Sequence, residues 1–269
     1  MLQAAPLAAL PWLRHGFSTR PGGVSTIYGQ YDDLNLGFTK EDDRANVEEN
    51  RRTFLQSIAP GNSWPLRTTR QIHSDLTLPL ATPEAPLDPA DGLSTALPGV
   101  FLAMLTADCV PVLIADPVHR AVAVFHAGWR GTVAAIVEQG VQHLCDTYAS
   151  APEDLLAAIG PSIGPCCYEV GEEVRTRFDA SFPYAADLFH DSHLDLWQSN
   201  RRQLESAGLP STNITVLAQC TACARTPNGR RNFFSYRTEQ GLTGRMMTAI
   251  AIVPSGTVPT DTAPSATMT

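Results

Sequence analysis

One cysteine and one histidine stand at the ends of two apolar runs, where reversal of the chain would bring them together. Cys109 precedes the run at 110–115, and His126 follows the run at 121–125. Pro117 lies between the runs, and proline pre-sets a φ angle that suits turn positions. The pattern predicts a β-hairpin with both side chains at its open end. A thiolate beside an imidazole forms either a pair of metal ligands or a nucleophile with its general base.

An arginine bracketed by glycines follows this hairpin directly. Arg130 lies in the run AGWRGT, at a predicted tight turn into an amphipathic helix over 133–148. The N-terminus of a helix attracts anions, so Arg130 is a candidate anion ligand. A lone cysteine is more often a small core residue. The chemical interpretation therefore depends on the three groups acting together.

Three further polar residues are weak candidates by themselves. His73 lies in a predicted strand over 68–78, TTRQIHSDLTL. Asn35 stands between two leucines in LNLG, where a structural asparagine in a turn is the simpler interpretation. Arg51 lies on a predicted helix over 44–58, and arginines on helices are usually solvated.

The other cysteines carry no predicted chemistry. Cys145 belongs to the apolar face of the helix over 133–148. Cys166 and Cys167 are adjacent and point in different directions, so we interpret them as packing or lining residues. Cys220 and Cys223 form one CxxC without a second CxxC after it. An isolated CxxC is a weak signal, and we predict neither metal binding nor redox use for this pair.

Composition limits the class of protein. The chain has 269 residues, 43% of them hydrophobic and 17% charged, which is typical of a globular protein with a substantial core. A net charge of −8 argues against nucleic-acid binding. No apolar run approaches the roughly 20 residues needed to span a bilayer. The N-terminus has no positively charged region before its apolar residues, so we expect no signal peptide. We expect a cytoplasmic monomer with small-molecule partners and no membrane partner.

The remaining patterns predict an α+β protein with one domain over 1–253. Further helices are predicted over 172–178 and 195–207, and further strands over 100–105, 157–163, 214–219, 233–237 and 245–253. Residues 254–269 are poor in hydrophobic residues and rich in Ser, Thr and Pro, which predicts a disordered tail.

Several segments together resemble one family, the YfiH family, also called the laccase-domain or multicopper polyphenol oxidase family. The segments are GFSTRPGGVS, LNLG, VEENRR, QIHS, ADGLST, TADCVPVLIADP, HAGWRGT, IGPSIGPCCYEVG and FFSYR with Gly244-Arg245. The resemblance covers about residues 14–253. It implies a single α+β domain of mixed β-sheets packed as a sandwich with flanking helices, a fold of the YfiH and cysteine-hydrolase type.

The resemblance also implies a metal site, usually zinc, and assigns its residues. The histidine of QIHS, the cysteine of ADC and the histidine of HAGWRG would hold the metal, and here they are His73, Cys109 and His126. The asparagine of LNLG corresponds to Asn35, and the arginine of ENR corresponds to Arg51. Two imidazoles and one thiolate leave the fourth tetrahedral position open, as in catalytic zinc sites.

Roles follow from this set. Cys109, His126 and Arg51 are expected to be catalytic. Asn35, Arg51 and Arg130 are expected to bind substrate. Arg51 is the first candidate for phosphate and Arg130 the second. The amide of Asn35 suits a purine edge or a ribose, because it both donates and accepts.

The activity implied by the resemblance is zinc-dependent purine nucleoside phosphorylase, acting on adenosine, inosine or guanosine with phosphate, together with adenosine deaminase. One alternative is a copper polyphenol oxidase (laccase), for which seven histidines without an HxH pair offer few ligands. Another alternative is a cysteine hydrolase that edits cell-wall peptidoglycan precursors, with Cys109 as nucleophile and His126 as base. A non-enzymatic binding module is disfavoured by a three-ligand site with an open position.

Overall fold

The chain forms six α-helices and thirteen β-strands within residues 1–29 and 32–255, which are the residues that this computed structural model describes. The helices are α1 Ala5–Ala8, α2 Arg44–Ile58, α3 Trp129–Val133, α4 Ile136–Tyr148, α5 Glu172–Ser181 and α6 Leu196–Ser206. The strands are β1 Leu13–Phe17, β2 Pro21–Ser25, β3 Leu66–Arg67, β4 Thr77–Pro79, β5 Gly92–Thr95, β6 Phe101–Thr106, β7 Val110–Asp116, β8 Ala121–Ala127, β9 Leu156–Ile159, β10 Phe189–His190, β11 His193–Leu194, β12 Ile214–Val216 and β13 Met246–Ile252. Single turns of 3₁₀ helix occur at Pro152–Asp154, Ala185–Leu188 and Ser211–Asn213. Of the predicted tail, residues 256–269 lie outside the described part of the chain.

The predicted hairpin is confirmed and lies at the centre of the larger sheet. Strands β7 and β8 pair antiparallel from Val110 opposite Ala127 to Asp116 opposite Ala121. All residues of both strands are buried. Successive side chains of a strand point to opposite faces, so both faces of this hairpin must be covered.

The chain forms two mixed sheets that pack face to face, so the smaller sheet covers one face of the hairpin. The larger sheet has the order β12-β9-β7-β8-β5-β4, and the smaller has the order β1-β13-β6-β3. Strands β9 and β12, β4 and β5, and β3 and β6 pair parallel, whereas the other pairs in these sheets are antiparallel. Leu113 and Val124 of the hairpin pack with Leu102 and Ile250 of the smaller sheet in the apolar layer between the sheets.

Helices cover the outer faces of both sheets. Val112 and Phe125 point away from the inner layer and pack with Leu144 of α4 and Phe178 of α5. Phe54 of α2 packs on the outer face of the smaller sheet. The expected α+β sandwich with flanking helices is therefore confirmed. In the described part of the chain, none of these helices combines the length and the apolar character needed to cross a bilayer.

Two strand predictions are wrong. Residues 68–76 are irregular, because side chains replace the strand partners of this backbone: the Asp91 carboxylate accepts hydrogen bonds from the N–H groups of Ile72 and Ser74. Residues 233–237 are irregular and enter a turn, because side chains accept from their backbone: the N–H of Ser235 donates to Glu239 and that of Arg237 donates to Asp108. The predicted helix over 133–148 is divided, because Ala135 adopts a left-handed conformation (φ 59°) between α3 and α4.

Candidate active site

The structure brings together the three metal ligands that the family resemblance implies. One ligand atom each from His73, Cys109 and His126 lies within 4.8 Å of the other two. We call these residues the His–Cys–His cluster. Cys109 comes from the bend before β7, His126 lies on β8, and His73 comes from the irregular segment 68–76. Folding of the hairpin thus positions two ligands, and the third arrives from a distant part of the sequence.

Asp91 positions both histidines. Its Oδ1 atom lies 2.8 Å from His126 Nδ1, which leaves Nε2 of His126 as the ligand atom. Its Oδ2 atom accepts hydrogen bonds from the backbone N–H (2.6 Å) and the hydroxyl (2.8 Å) of Ser74, next to His73. A carboxylate that orients a ligating imidazole is a recurring part of metal sites. Asp91 was not predicted as a functional residue. The sequence feature that could have identified Asp91 is a carboxylate directly before the buried strand β5, within the ADGLST segment.

Two glycines allow the segment that carries His73 to approach the hairpin closely. A Cβ atom at Gly128 would lie 3.0 Å from Cys109 Sγ and 3.0 Å from His73 Cδ2. A Cβ atom at Gly131 would lie 2.9 Å from the carbonyl oxygen of Ser74. The glycines that bracket Trp129 and Arg130 are therefore needed for the convergence of the ligands.

The site favours a thiolate at Cys109. Burial by itself would raise the pKa of Cys109, but His126 and His73 outweigh it and lower that pKa to about 6. Burial would lower the pKa of His126, but the Cys109 thiolate and Asp91 outweigh it and raise that pKa to about 9. Burial also opposes ionisation of Asp91, but His126 and Ser74 hold its pKa well below the usual value. These interactions favour the thiolate form of Cys109 and the protonated form of the His126 imidazole.

A second carboxylate supports the backbone next to Cys109. Asp108 has a positive φ of 94°, which is unusual for a residue with a Cβ atom. Its Oδ1 atom accepts a hydrogen bond from the Thr221 hydroxyl (2.5 Å), and its Oδ2 atom accepts one from the backbone N–H of Arg237 (2.7 Å). Its carbonyl oxygen accepts a hydrogen bond from the N–H of Ile163 (2.9 Å). These contacts over-determine the strained position, so the bend that presents Cys109 is held from three directions.

The His–Cys–His cluster opens into a cleft of about 880 Å³. This volume is in the range of small-molecule sites. Aromatic rings line part of the wall, namely Phe38, Tyr168 and Tyr236. Burial raises the pKa of Tyr168, so its phenol stays neutral at ordinary pH. The wall also carries four cationic side chains in a chain of net charge −8, namely Lys40, Arg130, Arg237 and Arg245.

The predicted ligand Arg130 lies in this cleft, with its guanidinium carbon 4.2 Å from the centroid of the Trp129 ring. Arg51 lies behind the wall. Its Nε atom donates a hydrogen bond to the Leu36 carbonyl (2.8 Å), and its guanidinium carbon lies 4.2 Å from the centroid of the Phe38 ring. Burial lowers the pKa of Arg51. Arg51 therefore supports a cleft residue, and Arg130 is better placed for an anion.

Asn35 is fully buried and does not reach the cleft. Its Oδ1 atom accepts hydrogen bonds from the N–H groups of Gly37 (3.1 Å) and Arg245 (2.9 Å). Its Nδ2 atom donates to Asp42 Oδ2 (2.7 Å) and to the Gly37 carbonyl (3.0 Å). Both amide atoms of Asn35, which the resemblance assigns to substrate binding, are thus engaged within the protein. Asn35 instead positions Gly37 and Arg245, which line the cleft.

The donor set of the His–Cys–His cluster fits a zinc ion. Two imidazole nitrogens and one thiolate are ligands that zinc accepts, and three protein ligands leave one position open. The hydrogen bond from His126 to Asp91 adds the orienting partner that such sites use.

The family model described as multi-copper polyphenol oxidoreductase laccase matches residues 14–253, and the chain belongs to this family. This result confirms the resemblance found in the sequence. A Geobacillus stearothermophilus protein named purine nucleoside phosphorylase YlmD is 36% identical over 252 residues, covering 87% of this chain and 88% of the relative. The Escherichia coli K12 protein named purine nucleoside phosphorylase YfiH is 37% identical over 238 residues, covering 88% of this chain and 92% of the relative. The crystal structure of YlmD from Geobacillus stearothermophilus superposes with a TM-score of 0.80 at 34% identity, covering 91% of this chain and 93% of that one.

Proposed function

We propose that this protein is a zinc-dependent purine nucleoside phosphorylase that also deaminates adenosine. The observation that carries the proposal is the His–Cys–His cluster in a cleft with four cationic side chains. The names of the relatives at 36% and 37% identity support the same activity.

The metal would be held by the His–Cys–His cluster. Zinc bound there supplies Lewis-acid polarisation and lowers the pKa of coordinated water toward about 7. Asp91 keeps His126 in the tautomer that ligates through Nε2 and holds the segment of His73 in place. Gly128 lets His73 and Cys109 approach each other.

The cleft would hold the two substrates of phosphorolysis side by side. In this reaction a phosphate oxygen forms a bond to C1′ of the ribose, the bond from C1′ to the purine N9 breaks, and the leaving base takes up a proton at a ring nitrogen. Arg130 is the proposed phosphate ligand, because a guanidinium matches the geometry of phosphate oxygens. Arg51, which the resemblance assigns to phosphate, is proposed to act from behind the wall by holding Phe38 and adding positive charge. The rings of Phe38 and Tyr168 offer flat apolar surfaces for the purine base.

Dependence on phosphate is the decisive test. We expect the protein to convert inosine plus phosphate into hypoxanthine and ribose 1-phosphate, and adenosine plus water into inosine and ammonia. Removal of metal with a chelator should abolish both reactions, and added zinc should restore them. Release of hypoxanthine at an equal rate without phosphate would overturn the phosphorylase assignment.

A copper polyphenol oxidase is less well supported by the arrangement of histidines. Multicopper chemistry needs several histidine-rich sites. Among the described residues, His73 and His126 are the histidines that belong to a group of three or more candidate ligands, and His190 and His193 face each other across β10 and β11 without a third ligand in such a group. His15 accepts from the N–H of Ala4, His119 contacts Asp116, and His143 contacts Ser94. Two results would favour the oxidase: copper instead of zinc in the purified protein, and oxygen uptake with a phenol instead of phosphate-dependent cleavage of a nucleoside.

A cysteine hydrolase is a second candidate that one observation favours. Cys109, His126 and Asp91 form a nucleophile, a base and an orienting carboxylate in the manner of a catalytic triad. His73 belongs to the metal site and has no place in this triad. His73→Ala should therefore abolish a metal-dependent reaction, but a cysteine hydrolase acting on a peptidoglycan precursor should largely retain its activity.

A further inference from the structure

Cys167 packs against Ile163 and Cys220, as the sequence predicts, but Cys166 and Cys167 also have neighbours that the sequence does not reveal. The structure places Cys166 and Cys167 beside Cys220 and Cys223, and the four Sγ atoms all lie within 4.8 Å of one another. We call these residues the four-cysteine cluster. The isolated CxxC therefore has a partner pair, which the sequence hides because the second pair is CC instead of CxxC.

The fold brings these pairs together through parallel strands. Strands β9 and β12 are parallel neighbours in the larger sheet, so their carboxyl ends lie at the same edge. The parallel pairing continues beyond the strands, with a bridge between Ser162 and Cys220. The loop after β9 carries Cys166 and Cys167, and the loop after β12 carries Cys220 and Cys223. The two loops thus meet although Cys166 and Cys223 are separated by 57 positions.

The spacing of the sulfur atoms suits one tetrahedral ion. Sulfurs of a tetrahedral site with Zn–S bonds of about 2.3 Å are separated by about 3.8 Å. The Sγ atoms of Cys166 and Cys223 are 3.7 Å apart. This separation is far longer than the roughly 2.0 Å of a disulfide bond. The cluster is also compact enough that all four sulfurs can face a common centre.

The surroundings suit the charge of such a site. Four thiolates around a divalent ion carry a net charge of −2. The backbone N–H of Gly164 donates to Cys220 Sγ at 3.3 Å. The guanidinium groups of Arg225 and Arg231 both donate to the carbonyl of Ala222, between the two cysteines of the CxxC, at 3.3 and 3.4 Å. Hydrogen bonds to ligating atoms and nearby cations stabilise a negatively charged metal site.

We propose that the four-cysteine cluster is a second metal site, which holds Zn²⁺ through four thiolates. The site is closed, because the four sulfurs complete the tetrahedral coordination of zinc and leave no position for substrate. Its role is to join the loop after β9 to the loop after β12. The second loop contains Thr221, which donates to Asp108 next to Cys109, so the proposed site also stabilises the wall of the cleft.

The test is the zinc content of matched variants purified under reducing conditions from cells grown with added zinc. Cys220→Ser/Cys223→Ser should contain one zinc ion per chain fewer than the wild-type protein. Cys145→Ser should keep the wild-type content, because Cys145 packs on the apolar face of α4 away from both clusters. This difference does not depend on what the His–Cys–His cluster binds, so the result is separate from the fate of the proposed activity.

A second measurement covers the case in which the double variant fails to fold. X-ray absorption at the zinc edge is recorded on Cys109→Ala, in which the His–Cys–His cluster has lost a ligand. We expect a shell of sulfur atoms at about 2.3 Å without nitrogen. Three outcomes would overturn the proposal. The wild-type protein and the double variant could contain equal zinc, or the zinc in Cys109→Ala could be bound by nitrogen and oxygen only. The third outcome is disulfide formation, seen as a wild-type mass that is two hydrogens lower for each disulfide.

Discussion

The His–Cys–His cluster and the four-cysteine cluster are connected through the hydrogen bond from Thr221 to Asp108, and they differ in what they leave open. The first offers three protein ligands of mixed type in a cleft lined by cations and aromatic rings. The second offers four sulfurs, two of them on exposed residues, in two surface loops. Three ligands leave a coordination position for a reacting molecule, whereas four thiolates complete the shell. The proposed division is therefore chemistry at the first cluster and stabilisation at the second.

The support behind the ligands differs in the same way. Asp91 bonds to His126 and to the segment of His73, so one carboxylate orients two ligands of the first cluster. The second cluster receives a backbone N–H from Gly164 and two arginine contacts at Ala222. Catalytic metal sites need ligands held in one orientation, and a buried carboxylate provides this. A structural site needs only charge compensation and closed coordination.

Loss of a ligand from the first cluster should have the largest effect on activity. His126→Ala should reduce both phosphorolysis of inosine and deamination of adenosine to background, because the proposed metal serves both reactions. The chain should lose the zinc of the first cluster and keep that of the second. His143→Ala is the matched control, because His143 contacts Ser94 and lies outside both clusters. Retention of either activity in His126→Ala would contradict the shared metal.

Loss of the orienting carboxylate should have the next largest effect. Asp91→Asn should weaken zinc binding by about 10- to 100-fold, as is typical when the partner of a metal ligand is changed. The measurement is competition for zinc with a chromophoric chelator. The zinc affinity of the second cluster should be the same in the variant and in the wild-type protein.

Asp116→Asn is the control for this variant. Asp116 is also buried and also bonds a histidine, His119, at 2.9 Å, but it lies at the opposite end of the hairpin. This control should lose stability without losing affinity for zinc. Equal loss of zinc in the two variants would show that Asp91 acts only through stability.

Phosphate binding should separate Arg130 from Arg51. Arg130→Ala should lower phosphorolysis by about 10- to 100-fold, since a charge-assisted hydrogen bond contributes roughly 1.5–3 kcal/mol. Deamination should fall less, because it uses no second anionic reactant. Arg51→Ala should show the same selectivity to a smaller degree, because its guanidinium contacts Leu36 and Phe38 behind the wall. The measurement is the KM for phosphate in both variants. A larger increase in Arg51→Ala than in Arg130→Ala would identify Arg51 as the main phosphate ligand.

The difference between the two clusters also explains what could be predicted from the sequence. Cys109 and His126 are recognisable because two continuous apolar runs on either side of a proline turn define a hairpin, and a hairpin is a local structure. The four-cysteine cluster depends on the parallel pairing of β9 with β12, which no local pattern encodes. His73 was placed by the family resemblance, but its predicted strand was wrong because Asp91 takes the N–H groups of that segment. Side chains that replace backbone partners leave no periodic signal.

Arg130 and Asn35 show the limit for individual roles. The glycines around Arg130 indicated a tight turn, and the structure explains them by the close approach of His73 and Ser74. The LNLG setting of Asn35 favours a structural residue, whereas the resemblance implies substrate binding. Its four hydrogen bonds to Gly37, Asp42 and Arg245 agree with the first interpretation. A family motif identifies which residues matter, but only the hydrogen bonds show how.

The smallest expected effect concerns the connection between the two clusters. Thr221 lies between Cys220 and Cys223, and its hydroxyl donates to Asp108, the neighbour of Cys109. Thr221→Val keeps the shape of the side chain and removes this donor, so the buried Asp108 carboxylate loses one partner and keeps the N–H of Arg237. We expect the free energy of unfolding to fall by roughly 1.5–3 kcal/mol, the usual contribution of a hydrogen bond to a charged group. Denaturant titration of the zinc-loaded protein measures this change.

Activity should change less than stability in this variant. Both zinc ions should remain, because none of the proposed ligands is altered, and kcat should fall by up to about tenfold, which corresponds to about 1.4 kcal/mol. Thr238→Val is the control, because Thr238 is exposed and bonds Arg231 at the surface, where substitutions usually change stability by less than about 0.5 kcal/mol. A fall in kcat much beyond tenfold with both zinc ions retained would mean that the second cluster takes part in the chemistry of the cleft, and the division between a reactive and a stabilising cluster would then fail.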